Sequence, residues 1–297
     1  MRIFNIVLLT IFVVAIVIAS HIVGQQAYHW LPIAATAEAE PVGHLFSFLV
    51  TLGAIVFLGV LGMLLYSILF YRAANSDTSD APAIRGNSKL EITWTVIPIL
   101  LVIWISSYSY NIYQRMNTLG SLPFVHLHLL EAPANAETGS SDMQPAERIE
   151  AIAKQWSWSF RYPSHNVTST ELHLPVNQRV HLTLQSEDVL HGFYVPNFRI
   201  KQDIIPNEKI QLQFTPNRIG KYRLHDSQFS GTYFALMEAD VYVDPPETYN
   251  QWLAQTATHL PVPAVNPAKS EHNQPPKTPL RSNWHTVTPA QPPVVNK

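Results

Sequence analysis

Cysteine is missing altogether from the 297 residues. Its absence excludes disulfides, zinc ribbons, thiol nucleophiles, thiolate-bound iron–sulfur clusters, thioether-bound haem, thiolate copper sites and a cysteine-linked lipid anchor. Charge is scarce too: 13% of residues are Asp, Glu, Lys or Arg, against roughly 25% in an average soluble protein. Those charges nearly cancel, 19 basic against 21 acidic for a net of −2, so the chain lacks the basic footprint of a nucleic-acid binder. No internal repeat is present. Hydrophobic residues make up 47% of the chain, which with so little charge argues against a disordered or wholly soluble protein.

The apolar residues concentrate in three runs, 3–23, 45–70 and 92–112. Each has about 20 residues or more, enough at ~1.5 Å per residue to cross a hydrocarbon core of ~30 Å. Gly53, Gly59 and Gly62 in the second run allow close helix approach. Tyr66, Tyr71, Trp94, Tyr108, Tyr110 and Tyr113 lie near run ends, where interfacial aromatics gather. The 24–44 loop has no Lys or Arg, whereas Arg2 precedes the first run and Arg72, Arg85 and Lys89 lie between the second and third. The positive-inside rule then makes the 71–90 loop cytoplasmic and sends everything after about residue 114 to the outer face, with Arg115 the one dissenting charge. The first run has a second reading. A basic start, an apolar stretch and Ala35, Thr36 and Ala37 also fit a secretory signal with its cleavage site.

Beyond the third run the pattern changes to period two. Alternation at 124–130, 180–184, 209–214 and 239–243, separated by Pro, Asn and Gly, predicts short strands of a sandwich or barrel. The polar 133–146 stretch reads as a loop, and 247–255 as a short helix. From 261 onward the chain is rich in Pro and polar residues and reads as a disordered tail.

Several motifs then occur in a telling order. Glu91, Trp94, Thr95 and Pro98 open the third run as Glu-x-x-Trp-Thr-x-x-Pro. Gln155, Trp156 and Trp158 give Gln-Trp-x-Trp; Ser186, Asp188, Val189, Leu190 and His191 give Ser-x-Asp-Val-Leu-His. Phe193 to Pro196 and Lys201 to Pro206 continue the series. Over about 45–243 this resembles subunit II of haem–copper terminal oxidases, the cytochrome c oxidase subunit 2 family. The extra first helix and the Trp30, Leu31, Pro32 to Glu40 stretch are similar to cyanobacterial members. The resemblance implies a membrane-anchored all-β protein, with N-terminal transmembrane helices followed by a cupredoxin-like β-sandwich. The expected divisions are 1–23, helix or signal; 24–44, outer loop; 45–115, helical hairpin; 116–258, cupredoxin-like domain; 259–297, tail.

The resemblance fails at the copper loop. The family reads Cys-Ser-Glu-x-Cys-Gly-x-x-His-x-x-Met there and holds a dinuclear copper centre. This chain has Asp226 and Ser230 for the cysteines, Gln228 for the glutamate and Phe234 for the histidine, leaving only His191 and Met237 of the ligand set. Thiolates suit Cu(I) and bridge two ions; a carboxylate, a hydroxyl and a phenyl ring do not replace that chemistry. The expectation is a chain without cofactor, beside a subunit I that carries haem and a mononuclear copper. His191 then reads as a hydrogen-bonded histidine and Met237 as core filler, while His225 beside Asp226 offers another imidazole to an adventitious metal. Trp156 matches the aromatic residue that receives electrons from cytochrome c in copper-bearing relatives, a role with no copper behind it here.

Glu91 has two readings that are compatible. Ser88 and Glu91 have capping-box spacing, and the helix N-terminus favours a carboxylate. In the family the matching glutamate sits at the mouth of a proton pathway. The implied function is subunit II of a quinol oxidase reducing O2 to water, partnered by subunits I and III, the bilayer and membrane quinol. The alternatives are a cytochrome c oxidase with a degenerate copper site, or a membrane-anchored cupredoxin-like binding or assembly protein. The implied location is a bacterial, cyanobacterial-type plasma or thylakoid membrane, with the β-domain on the periplasmic or lumenal side.

Overall fold

A computed structural model describes residues 2–71, 86–116, 147–274 and 287–296. The expected strand at 124–130, the loop at 133–146 and the basic residues Arg72 and Arg85 lie outside the described residues. The chain divides into two compact units: Met1–Pro32 with Pro41–Met116, and Ile33–Glu40 with Asn117–Lys297.

The first unit is helical. Its helices are α1 (Arg2–Tyr28), α2 (Ala39–Phe70) and α3 (Ser88–Met116), each long and apolar enough to cross a membrane. Side chains such as Ile11, Leu69 and Ile97 point outward, an arrangement that suits hydrocarbon and would be costly in water. Where α1 meets α2 the contact is close: Ser20, Gly24 and Ala27 are buried, and Ser47 Oγ donates to the Gly24 carbonyl at 2.6 Å. A Cβ on Gly24 would collide with Thr51 and the Ser47 carbonyl, and one on Gly62 with the Phe12 ring. At the start of α3 the capping differs from the sequence expectation. Asn87, not Ser88, is the cap, its Oδ1 accepting from the Lys89 and Leu90 amides at 3.1 and 3.4 Å. An Asn side chain one residue before the helix reaches the first free amides, leaving Glu91 in the first turn without a capping duty.

The second unit is a β-sandwich. Its strands are β1 (Glu147–Lys154), β2 (Ser157–Tyr162), β3 (Val167–Ser169), β4 (Leu172–Pro175), β5 (Val180–Ser186), β6 (His191–Val195), β7 (Ile200–Ile204), β8 (Ile210–Phe214), β9 (Gly220–Asp226) and β10 (Glu238–Asp244). One sheet runs β3-β2-β1-β5-β8 and the other β4-β10-β9-β6-β7. Period-two alternation sets the facing: Val180, Leu182 and Leu184 of β5 are buried while His181, Thr183 and Gln185 are not. The inner faces enclose Trp156, Trp158, Phe160, Tyr162, Phe193, Phe198 and Phe214, all essentially unexposed. Each such side chain contributes about 1.5–3 kcal/mol of burial.

Helix α4 (Pro246–Thr258) follows β10 and packs beside β3, β4 and β10. Tyr249 and Leu253 are buried beneath it, and Trp252 stacks on His173 with centroids 3.8 Å apart. The expected helix is therefore present and longer than the sequence suggested.

Two expectations about connecting chain are corrected. Residues 24–44 are not simply a loop: α1 runs on to Tyr28, α2 begins at Ala39, and Ile33–Glu40 is part of the β unit. Its backbone bonds to the β unit, Ala35 N–H to the Asn197 carbonyl and Ala37 N–H to the Thr215 carbonyl, both 3.0 Å. The stretch from 261 is not a disordered tail where it is described. It forms β11 (Pro261–Pro263), α5 (Pro267–His272) and β12 (Val294–Asn296), with β11 and β12 antiparallel. Its prolines cannot donate, but the residues between them do: Ala264 N–H to Pro293 O at 2.8 Å and Ala290 N–H to Gln155 O at 2.7 Å. Asn296 Oδ1 accepts from the Thr168 amide at 2.9 Å, and Ala264, Ala268 and Val295 are buried.

Candidate functional site: the loop after β9

Strand β9 ends at Asp226, and the chain returns through residues 227–237 to start β10. Beside it, β6 starts at His191, and Phe193 of β6 pairs with Asp226 of β9. This topology brings the first and last positions of the expected ligand set to one end of the sandwich.

His191 is fully buried and held on both ring nitrogens. Its Nδ1 lies 2.7 Å from Asp226 Oδ2, and its Nε2 lies 2.9 Å from Asp188 Oδ1. Asp226 takes three more hydrogen bonds: from the Gly192 amide at 2.7 Å, the Gln228 amide at 3.0 Å and Ser230 Oγ at 2.8 Å. Asp188 is fixed in turn by the amides of Gln155 and Val189, each at 2.7 Å. An imidazole between two carboxylates has an acceptor on each side, an arrangement that favours the cationic ring in which both nitrogens donate. Burial alone would depress the His191 pKa, but the hydrogen bonds to Asp188 and Asp226 outweigh it and raise the pKa above the ordinary value. For Asp188 burial pushes upward, and the His191 bond and the two amides more than reverse it, so its pKa is lowered.

The remaining positions bind the loop to the core through main-chain atoms. The Ser230 carbonyl accepts from Gln155 Nε2 at 2.6 Å and from the Trp156 indole at 3.0 Å. The Met237 carbonyl accepts from the Asp226 amide at 3.0 Å and from the Trp158 indole at 3.2 Å. Met237's own side chain is buried with the core, as expected of a filler residue. Gln228 Nε2 reaches Asp203 Oδ1 at 2.7 Å. Phe234 does not join the cluster; its ring meets that of the exposed Phe229, with centroids 5.2 Å apart.

This arrangement does not fit a dinuclear copper centre. Both nitrogens of the one retained imidazole are taken by carboxylates, and the positions of the bridging thiolates hold one carboxylate and one hydroxyl that bond to each other. The adventitious-metal reading of His225 also fails. His225 and Asp226 are consecutive on a strand and face opposite sides, and His225 Nδ1 pairs instead with Glu238 at 3.0 Å. Trp156 is only 1% exposed, with Tyr233 at 5.2 Å and His272 of α5 beyond Tyr233. Sequence reasoning missed Asp188 as a participant. Its signal was the spacing to His191, three residues on, across a strand-entering turn.

Family profiles described as cytochrome c oxidase subunit II, transmembrane domain, and cytochrome c oxidase subunit II, periplasmic domain, match residues 23–112 and 167–243. The chain is 31% identical to cytochrome c oxidase subunit 2 of Synechocystis sp. over 256 residues, 78% of this chain and 77% of that protein. It is also 31% identical to cytochrome c oxidase subunit 2 of Thermostichus vulcanus, covering 82% and 83%. Against quinol oxidase subunit 2 of Bacillus subtilis it is 25% identical, covering 72% and 62%.

Proposed function

The chain belongs to the subunit II family of haem–copper oxidases, and on that premise we propose that it serves a quinol-oxidising complex in which electrons bypass this subunit. The observation that carries this reading is the Asp188–His191–Asp226 cluster, which fills the place of the family's copper ligands in a chain without cysteine. Electrons from membrane quinol then enter subunit I directly, where haem and a mononuclear copper reduce O2 to water. This chain assembles with subunits I and III and covers the outer face of subunit I with its β unit. The complex sits in a cyanobacterial-type plasma or thylakoid membrane, with the β unit on the periplasmic or lumenal side.

A second reading has its own support. The two relatives at 31% identity are both named cytochrome c oxidase subunit 2, which favours a donor of that kind. One assay separates the readings. With the purified complex, O2 uptake should follow added quinol, and reduced cytochrome c should not be oxidised above the rate of the buffer. Oxidation of cytochrome c at the quinol rate would overturn the quinol reading. A chain that purifies without haem-containing partners would make it a free-standing binding or assembly protein.

Glu91 is proposed to line the proton entrance on the cytoplasmic side. Because Asn87 supplies the cap, Glu91 contributes to helix stability only through the first-turn charge, about 0.3–1 kcal/mol. Glu91→Gln and Glu91→Ala should therefore both leave haem content and yield near wild type while lowering turnover, because neither side chain can carry a proton. Wild-type turnover in both variants would leave Glu91 as a helix-start charge.

A further inference from the structure

We infer that α1 is a permanent membrane anchor and that the Ala35-Thr36-Ala37 stretch is a structural clip of the β unit, not a cleavage site. Two observations, one in each unit, carry this independently of the electron donor.

The first is the clip. Ala35 and Thr36 are fully buried and Glu38 is 6% exposed, although they lie in what reads as a loop between two membrane helices. Ala35 bonds on both sides, its N–H to the Asn197 carbonyl and its carbonyl to the Asn217 N–H, each 3.0 Å. Thr36 forms a bridge with Pro216, and the Ile33 carbonyl accepts from Asn197 Nδ2 at 3.0 Å. Next to them Glu38 is seated with both oxygens used: Oε1 pairs with Arg179 at 2.5 Å and Oε2 accepts from the Thr215 amide at 2.9 Å. Cutting after Ala37 would discard residues 33–37. The Asn197 and Thr215 carbonyls and the Asn217 amide would lose their partners, and the core would lose Ala35. Water would replace those partners only in part of the ladder, and the buried contacts of Ala35 and Thr36 would be lost outright, so a chain processed there would fold into a weakened β unit.

The second is the fit of α1 itself. A signal segment is recognised by its basic start, its apolar length and small residues at the cut, then removed. It needs no matching surface on a neighbour. On α1 the buried residues Ser20, Gly24 and Ala27 recur at spacings of four and three and so share one face. Gly24 leaves no room for a side chain against Thr51, its carbonyl takes the Ser47 hydroxyl, and Phe12 lies over Gly62 of α2. Small residues that let backbones approach are how helices associate in lipid. Close contacts to α2 at Gly24 and at Phe12 belong to a helix that stays.

The test uses the subunit as it occurs in membranes. The oxidase complex is purified, and subunit II is analysed by peptide mapping and N-terminal sequencing. A peptide spanning the Ala37–Glu38 bond should be recovered in equal amount to peptides from β5 and β10. A mature N-terminus anywhere between residues 20 and 40 would overturn the inference. The clip is tested separately in the full-length chain, where Ala35→Asp should lower the melting midpoint of the β unit by at least about 5 °C. Glu38→Gln, which keeps the shape and loses the ion pair, should lower it less. An unchanged midpoint in Ala35→Asp would remove the clip's role, even if α1 is retained.

Discussion

Asp226→Ala should be among the most damaging single substitutions in the chain, with a loss of about 3–5 kcal/mol of β-unit stability. Four donors converge on that carboxylate: His191 Nδ1, the Gly192 and Gln228 amides, and Ser230 Oγ. Alanine would strand all four, three of them buried, including a ring whose charge depends on its acceptors. Asp226→Asn is the informative partner. It keeps the shape and one acceptor oxygen but turns an NH2 group toward donors, so it should fall between wild type and Ala. Ser230→Ala removes a single bond and should cost only about 0.5–1.5 kcal/mol. Thermal or denaturant unfolding of the membrane-extracted complex, followed by tryptophan fluorescence, gives the order. An Asp226→Ala chain as stable as Ser230→Ala would mean that the cluster holds nothing together.

The same cluster fixes a pH dependence. The His191 pKa is raised in the folded protein, so its contribution is complete below the ordinary histidine value near 6.5 and is lost as pH rises through the higher folded value. The Asp188 pKa is lowered. Its contribution is therefore complete above the ordinary aspartate value and is lost as pH falls through the depressed one. Between those limits the ion cluster is intact, and stability should decline on the alkaline side first. In Asp188→Asn, which leaves His191 one carboxylate, the folded value is raised less, so the alkaline decline should be smaller and end at lower pH. Superimposable profiles for wild type and Asp188→Asn would show that the ring is not held as a cation.

What the sequence made legible follows from how locally each feature is encoded. Apolar runs about 20 residues long and period-two strands such as β5 and β10 need no partner to be read, and both were found where expected. The ligand loop was legible because five of its positions can be set against a motif one by one. The clip and the C-terminal strap were not legible, for the same physical reason. Ile33–Glu40 and the segments carrying β11, α5 and β12 bury few large apolar side chains, and are held by scattered backbone and side-chain bonds to distant strands. No periodicity reports a bond from Ala290 to Gln155. Asp188 was visible in its motif, but its role depends on β6 and β9 lying side by side, which only the sheet order reveals.

That difference changes how the lost metal centre should be rebuilt. Asp226→Cys, Gln228→Glu, Ser230→Cys and Phe234→His, with His191 and Met237 kept, restores the family's ligand set. A soluble fragment of about residues 116–256 would be the wrong host. It omits Ile33–Glu40, whose Glu38 pairs with Arg179, and the strap that bonds Gln155 beside the loop. The full-length chain is the right one. Within it, Asp188 is already placed to help. Once Asp226 is gone, the bond from His191 Nε2 to Asp188 fixes the tautomer with the proton on Nε2 and leaves the Nδ1 lone pair facing the new thiolates. Trp156 and Gln155 continue to hold the backbone at position 230 through its carbonyl, which no side-chain change disturbs. Phe234 is the weak point, because its ring now rests on Phe229 and the short turn it begins must shift to bring an imidazole inward. The fourfold variant should take up copper stoichiometrically and show the intense visible absorption of thiolate-bound copper, while the wild-type chain stays colourless under the same loading. Adding Asp188→Asn to the fourfold variant should weaken copper retention about 10- to 100-fold, the usual effect of removing the group that orients a ligand histidine. A folded, colourless fourfold variant would mean that the loop after β9 no longer has the geometry of a metal cradle, and that its present hydrogen bonds have become its only possible filling.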